Sequence, residues 1–389
     1  MPRLLGLRPQ VYSSPAESPK FFGVPRPYRH GLFVLLAPLS LALTELAARF
    51  PHHTEAIYSR RIYPVLAGIL GRVFGIFPFS VAEFLIYGAI ITAICYLSVQ
   101  ITRLVSRGEK RARALRMLAT IGCIGGVGYF AFTLLMGLNY HRITFAEQSG
   151  LVVRPSSVQE LGQLYSELVG RANDLRSQVN ENEDGVMVFY PRSVREMARL
   201  APQGIERLSE RYPVFSGFTP PPKPVLASRG LSMMNIAGVY IPFTFEANFN
   251  ADMPHMSIPA TMLHELAHFK GFMREDEANF IAYLAAREMD DISFRYSGVI
   301  LGLIYTGNAL FAADRELHIE LSAYLDAAVL RDFTASRAYW AQFEGPIATA
   351  AVAVNNAYLR HNRQEDGVRS YGRVVDLLLA DYRARHGLY

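Results

Sequence analysis

The sequence predicts an α-helical membrane region with three transmembrane helices, followed by a mainly helical α+β domain with a small edge-strand sheet. Three observations carry this expectation. Long, nearly uncharged runs are concentrated in the first 138 residues. Basic residues crowd one short connection between two of those runs. After Asn139, capping boxes, one-faced apolar repeats and Gly/Pro punctuation describe a domain that folds in water. At 389 residues and 51% hydrophobic content, the chain can bury a sizeable core and is richer in apolar residues than an ordinary soluble protein.

Gly31 to Leu43 carries no charge, although Pro38 interrupts it and Glu45 follows; it reaches spanning length only by extension to Phe50. Phe79 to Thr102 carries only Glu83, and Leu115 to Leu138 only Arg116. The expected spans are therefore about 31–50, 79–102 and 115–138, within a membrane region of 31–138. Arg103, Arg107, Lys110, Arg111, Arg113 and Arg116 surround the connection between the second and third, opposed only by Glu109, which places that loop in the cytoplasm. Two further crossings put residues 1–30, with Arg3, Arg8, Lys20, Arg26 and Arg29, in the cytoplasm too. By the same count 50–78 and the domain 139–389 lie outside the cell membrane. The net charge of +5 is mostly this topology signal, and no basic stripe suited to nucleic acid is present. The first run begins after thirty residues containing several prolines and reads as an uncleaved anchor. Cys95 and Cys123 fall inside expected spans, so the external domain holds together without disulfides.

Within 139–389, Ser157 with Glu160 forms a capping box before Val158, Leu161, Leu164 and Leu168. Ser193 with Glu196 starts a second helix, running to about Tyr212. The Pro-rich stretch 219–224 is extended. Val225 to Ser228 and Met234 to Phe245 supply two or three strands, and Pro242 marks an edge strand. Glu246, Asn248 and Asn250 organise a turn. Further helices are expected from Ser257, over Glu275 to Met289, over Ser297 to Ala312 as a buried helix, and over 314–331, 336–359 and 368–385.

His264-Glu265-Leu266-Ala267-His268 carries the chemistry. Imidazoles four apart on a helix share one face and can reach one metal ion, with Glu265 placed to deprotonate a water there. Hydrolytic zinc takes three protein ligands and leaves one position open. No other histidine has a comparable spacing, so a carboxylate is the economical third ligand. Gly271 can reverse the chain, and Glu275, in the first turn of the next helix, is preferred to Glu277; Asn279 one turn on is suited to hold a ligand N–H. Tyr296 is a candidate oxyanion donor, although a buried tyrosine is the commoner outcome, and His255 reads as a loop residue.

The pattern H-E-x-x-H followed by E-x-x-A-N resembles gluzincin metallopeptidases. That resemblance implies a zincin-like domain, His264, His268 and Glu275 as Zn2+ ligands, and Glu265 as catalytic base. The chain also resembles a bacterial family of three-pass membrane proteins of unknown function with an external H-E-x-x-H domain. PFSVAEFLIYG, GLNYHR, GVYIPFTFEANFN, HELAHFKGFMREDEANFIAYLA, FRYSGVILGLIY and YGRVVDLLLADY carry this second likeness. Only six residues separate His268 from Glu275, a shorter interval than in ordinary gluzincins. The expected activity is zinc-dependent hydrolysis of a peptide or protein substrate; a zinc-stabilised sensory or scaffolding ectodomain is the alternative.

Overall fold

The structure is a computed structural model that describes residues 33–106, 110–364 and 373–388. It divides into two compact units, Met1–Leu41 with Ala93–Phe130, and Ala42–Thr92 with Ala131–Tyr389. The expected cytoplasmic tail, residues 1–30, lies outside the described residues.

Helix α1 (Leu36–Arg49) is 14 residues long, about 21 Å at 1.5 Å per residue, and is too short to cross a bilayer as a single rod. It stops ahead of Pro51, and the helical path resumes bent by 101°. The first expected span thus coincides with α1 but, unlike the second and third, is not by itself long and apolar enough to cross a membrane among the described residues. The connection 50–78 is itself helical, through the π-helical stretch Thr54–Ile62 and helix α2 (Tyr63–Gly75). Helices α3 (Val81–Ser106) and α4 (Lys110–Leu135) match the second and third spans. Each has 26 residues, about 39 Å, and exceeds the roughly 30 Å of hydrocarbon in a bilayer.

The second unit holds α5 (Val158–Arg176), opened by the Ser157/Glu160 capping box. The helix expected from Ser193 to Tyr212 is broken by Pro202 into α6 (Val194–Leu200) and α7 (Pro202–Arg211). Its core is built around α8 (Ile258–Phe269) and α9 (Glu275–Arg287), whose Leu263, Leu266, Phe280, Ile281 and Leu284 are fully buried. Helix α10 (Ile292–Ala313) is long and apolar enough to cross a membrane, yet 56% of its most apolar stretch is buried, against 0% in α3 and 11% in α4. It is the buried helix the sequence suggested. Helices α11 (Arg315–Ser322), α12 (Ala327–Ala341), α13 (Pro346–His361) and α14 (Val374–His386) complete the unit.

Three short strands, β1 (Lys223–Pro224), β2 (Gly238–Ile241) and β3 (Glu246–Phe249), lie in the order β1-β3-β2. The stretch expected to be extended at Val225–Ser228 instead turns into a short helix, Ser228–Met233. Strand β2 runs antiparallel to β3, pairing Val239 with Asn248, and is an edge strand that ends just before Pro242.

Two carboxylates tie α3 to this sheet. The first N–H groups of a helix have no intrahelical acceptor. Glu246, on β3, accepts from Val81 N at 3.0 Å and Ala82 N at 2.7 Å, and is also paired with the buried ammonium of Lys223. In return Glu83 accepts from Leu226 N and Ala227 N, both at 2.8 Å. Glu246 therefore caps a membrane-length helix rather than organising a turn. Glu246→Ala strands the Lys223 charge and both amides, and is expected to cost about 3–5 kcal/mol. Unfolding of the full chain in detergent checks this; a loss below about 1 kcal/mol would show that the clamp contributes little.

Candidate metal centre

Helix α8 has Pro259 in its first turn, where the missing N–H costs nothing. It ends in a Schellman turn: Gly271 N donates to His268 O and Phe272 N to Ala267 O. This turn requires a left-handed residue, and Gly271 has φ +85°. An added Cβ there would stand 3.0 Å from Asn139 Nδ2 and 3.1 Å from the Tyr63 ring. The reversal returns α9 alongside α8, with buried Ala278 between them.

His264, His268 and Glu275 are the group of metal-ligating side chains brought together among the described residues, with their ligand atoms all within 4.8 Å of one another. Glu275 Oε2 lies 3.2 Å from His264 Nε2 and 3.7 Å from His268 Nε2. Ligands around a tetrahedral zinc at about 2.0–2.1 Å stand roughly 3.3 Å apart, so the group fits such an ion. The far nitrogens are anchored as ligation requires. His264 Nδ1 meets Asn279 Oδ1 at 2.9 Å, and His268 Nδ1 meets Phe272 O at 2.7 Å. Both partners are acceptors, so each Nδ1 carries a proton and each Nε2 is the nitrogen left to bind an ion once any proton on it is displaced.

The three acidic residues opening α9 separate because consecutive positions point about 100° apart. Only Glu275 faces the histidines. Asp276 Oδ1 accepts from Glu277 N, and Glu277 Oε1 accepts from Phe145 N and Arg274 Nη1. Glu275 rather than Glu277 is therefore in position to ligate.

Glu265 is 3% exposed. Its Oε2 is buried with no hydrogen-bond partner among the described residues. Burial is the largest influence and pushes its carboxyl up to about 7, outweighing the two nearby histidines. Strand β2 makes room for it, since a Cβ on Gly238 would overlap Glu265 Oε1. Burial alone would lower His268, but the adjacent Glu275 carboxylate holds it up to about 9. Burial likewise opposes ionisation of Glu275, and the two histidines hold it well below the usual carboxylate range.

Tyr296 is not brought to the site. Its buried hydroxyl donates to Asp332 Oδ2 at 2.7 Å, and that carboxylate also accepts from Arg176 Nε and Met187 N. A proton committed to a buried carboxylate cannot serve an oxyanion elsewhere. His255 is likewise spent, stacked on Phe189 and accepting from Phe189 N. The tyrosines near the centre are others. Tyr305 accepts from Asn279 Nδ2 at 3.2 Å, and the Tyr240 ring lies 6.5 Å from that of His268. Both lie in stretches that carry the family likeness, GVYIPFTFEANFN and FRYSGVILGLIY, but only the fold brings them to the centre.

These features define a helical protein with membrane-length apolar helices and a buried His-His-Glu cluster backed by an unpartnered carboxylate. The chain belongs to the family described as protein of unknown function DUF3810, whose model matches residues 58–379. No curated protein and no solved structure matches it.

Because the Glu275 carboxylate favours the protonated His268 ring, a cation bound by both residues competes with that proton. Titration calorimetry in buffers of different ionisation enthalpy is expected to show net proton release at pH 7 that falls as the pH rises through about 9. Asn279→Ala, which frees the His264 ring, is expected to weaken metal binding about 10–100-fold in chelator competition.

Proposed function

We propose that this protein is a membrane-anchored zinc hydrolase that cleaves peptide bonds outside the cytoplasm, with His264, His268 and Glu275 holding the ion and Glu265 acting as general base. The observation that carries this reading is the juxtaposition of three converged ligand atoms with the buried, unpartnered Glu265 Oε2. A purely structural cluster gains nothing from such an atom, because a buried oxygen without a partner costs about 1–3 kcal/mol. A general base needs that free oxygen, and burial keeps the Glu265 carboxyl more basic than an exposed glutamate.

Zinc, when bound, supplies Lewis acidity at neutral pH. The chain's own groups account for the rest. Asn279 and Phe272 O fix the two imidazoles, so both Nε2 atoms stay aimed at one point. Glu265 takes a proton from water at Oε2 and returns it to the leaving nitrogen. Edge strand β2, running past Glu265 at Gly238, offers backbone groups on which an extended peptide can pair. Tyr305 replaces Tyr296 as the hydroxyl suited to steady a developing oxyanion, because its oxygen is held by Asn279 and its own proton remains to be donated.

Glu265→Gln is expected to retain about one zinc per chain and lose at least 10³-fold in peptide hydrolysis, whereas Glu275→Gln loses the metal as well. Metal analysis beside turnover of a quenched peptide pool measures both. Full activity in Glu265→Gln would sink the hydrolase reading, and absence of turnover in the zinc-loaded native protein would favour the scaffolding alternative.

A further inference from the structure

Helix α2 is apolar on two opposite faces. Tyr63, Ala67 and Gly71 are buried, while Ile62, Val65, Ile69, Val73 and Ile76 are 47–79% exposed. The exposed set is spaced 3, 4, 4 and 3, so it forms one continuous stripe. The one charge on α2, Arg72, flanks the stripe with its guanidinium over the Phe218 ring, and among the described residues nothing covers the stripe itself. It continues into α3 through Ile76, Phe77, Phe79 and Phe84, with ring centroids 5.7 Å apart for Phe77–Phe79 and 5.1 Å for Phe79–Phe84. The start of α3 is clamped to the sheet by Glu246 and Glu83. The stripe therefore runs directly into a helix that has the length and apolarity of a membrane span.

The inner face of α2 braces the metal helix. The Tyr63 hydroxyl lies 3.1 Å from His268 O and 3.2 Å from Phe269 O. Gly71 lets the Phe269 ring close on the α2 backbone, since an added Cβ would stand 2.8 Å from it. Packed helix axes lie about 8–10 Å apart, and the outer face adds about 5 Å, so the second histidine sits roughly 15 Å from the stripe.

We propose that α2 is a membrane-contacting helix, its outer stripe immersed at the edge of the bilayer, and that the metal centre it carries acts on polypeptide tethered to that same membrane. The helical path into α2 begins at Pro51, but its Thr54–Ile62 stretch is polar and buries Thr54, Glu55 and Ser59. The apolar part is therefore the 13 residues of α2, about 20 Å, which is too short to cross and lies along the interface. The tethered-substrate half rests on the hydrolase reading; the lipid contact does not. At about 3.3 Å per extended residue, the bond cleaved lies about five residues from the substrate's anchor.

The test uses the full chain with Cys95→Ser and Cys123→Ser, spin-labelled singly at Val65→Cys, Ile69→Cys, Val73→Cys or, as a water-exposed reference on α5, Gln163→Cys. In phospholipid nanodiscs, the three α2 sites are expected to be accessible to oxygen and shielded from a water-soluble nickel chelate, the reverse of Gln163. Water-like accessibility at all three overturns the lipid contact. So does shielding from both reagents, which would mean that protein covers the stripe. In vesicles, the same quenched peptide pool carrying an acyl anchor about five residues from the scissile region is expected to be cleaved at least tenfold faster than its unanchored form. Equal rates overturn the substrate half. No hydrolysis of either form, with a lipid-like signature on α2, sinks the hydrolase reading and leaves the lipid contact standing.

Discussion

The left-handed turn at Gly271 is the constraint on which the candidate metal centre depends. It does two things at once. It sends α9 back along α8, so that Glu275 meets the histidine pair, and it turns Phe272 O onto His268 Nδ1. The turn is held from outside as well. Arg142, 1% exposed, places Nη1 3.2 Å from Gly271 O, stacks over Phe272 and forms a two-point pair with Glu55. Glu55 precedes α3 and Arg142 follows α4. The segments on either side of the helical hairpin thus close around the turn that sets the ligand geometry, which accounts for residues 42–92 joining the domain rather than the membrane region.

The buried charges of the centre offset one another unevenly. In the metal-free fold, one carboxylate, Glu275, sits between two imidazoles, and the pairing keeps His268 protonated and Glu275 ionised. Glu265 has no such partner and is raised instead. Two acids on neighbouring helices therefore have opposite proton affinities, through environment alone. That division suits one to ligation and the other to proton transfer.

What the sequence made legible follows from how local each signal was. The convergence of His264, His268 and Glu275, the reversal at Gly271 and the hold of Asn279 on His264 all lie within sixteen residues of chain, where helical periodicity fixes direction. The capping boxes at Ser157 and Ser193 were equally local and formed as expected. Misassignments came where a long-range partner decided. Tyr296 follows Asn279 closely in sequence, but Asp332 and Arg176 claim its hydroxyl, while Tyr305, 26 residues beyond Asn279, reaches the site. Glu246 resembled a turn residue until α3 delivered two amides to it. The first span matches α1 in position, but α1 alone is too short to cross, and α2 beyond it has inward and outward apolar faces that composition alone cannot separate.

The shortness of α1 bears on topology in a limited way. Tyr58 donates to Leu134 O at 2.5 Å and Ser59 to Asn139 Oδ1 at 2.8 Å, so the chain entering α3 and the chain leaving α4 belong to one compact unit. A helical hairpin that returns to the same unit needs two crossings or none, whatever α1 does. The proposed placement of the domain outside the cytoplasm therefore rests on the basic connection between α3 and α4, with Arg103, Lys110, Arg111, Arg113 and Arg116 at its margins. The side taken by the N-terminal tail rests on α1 alone. Its 14 residues reach about 21 Å, so the tail crosses only if α1 is completed by residues preceding Leu36.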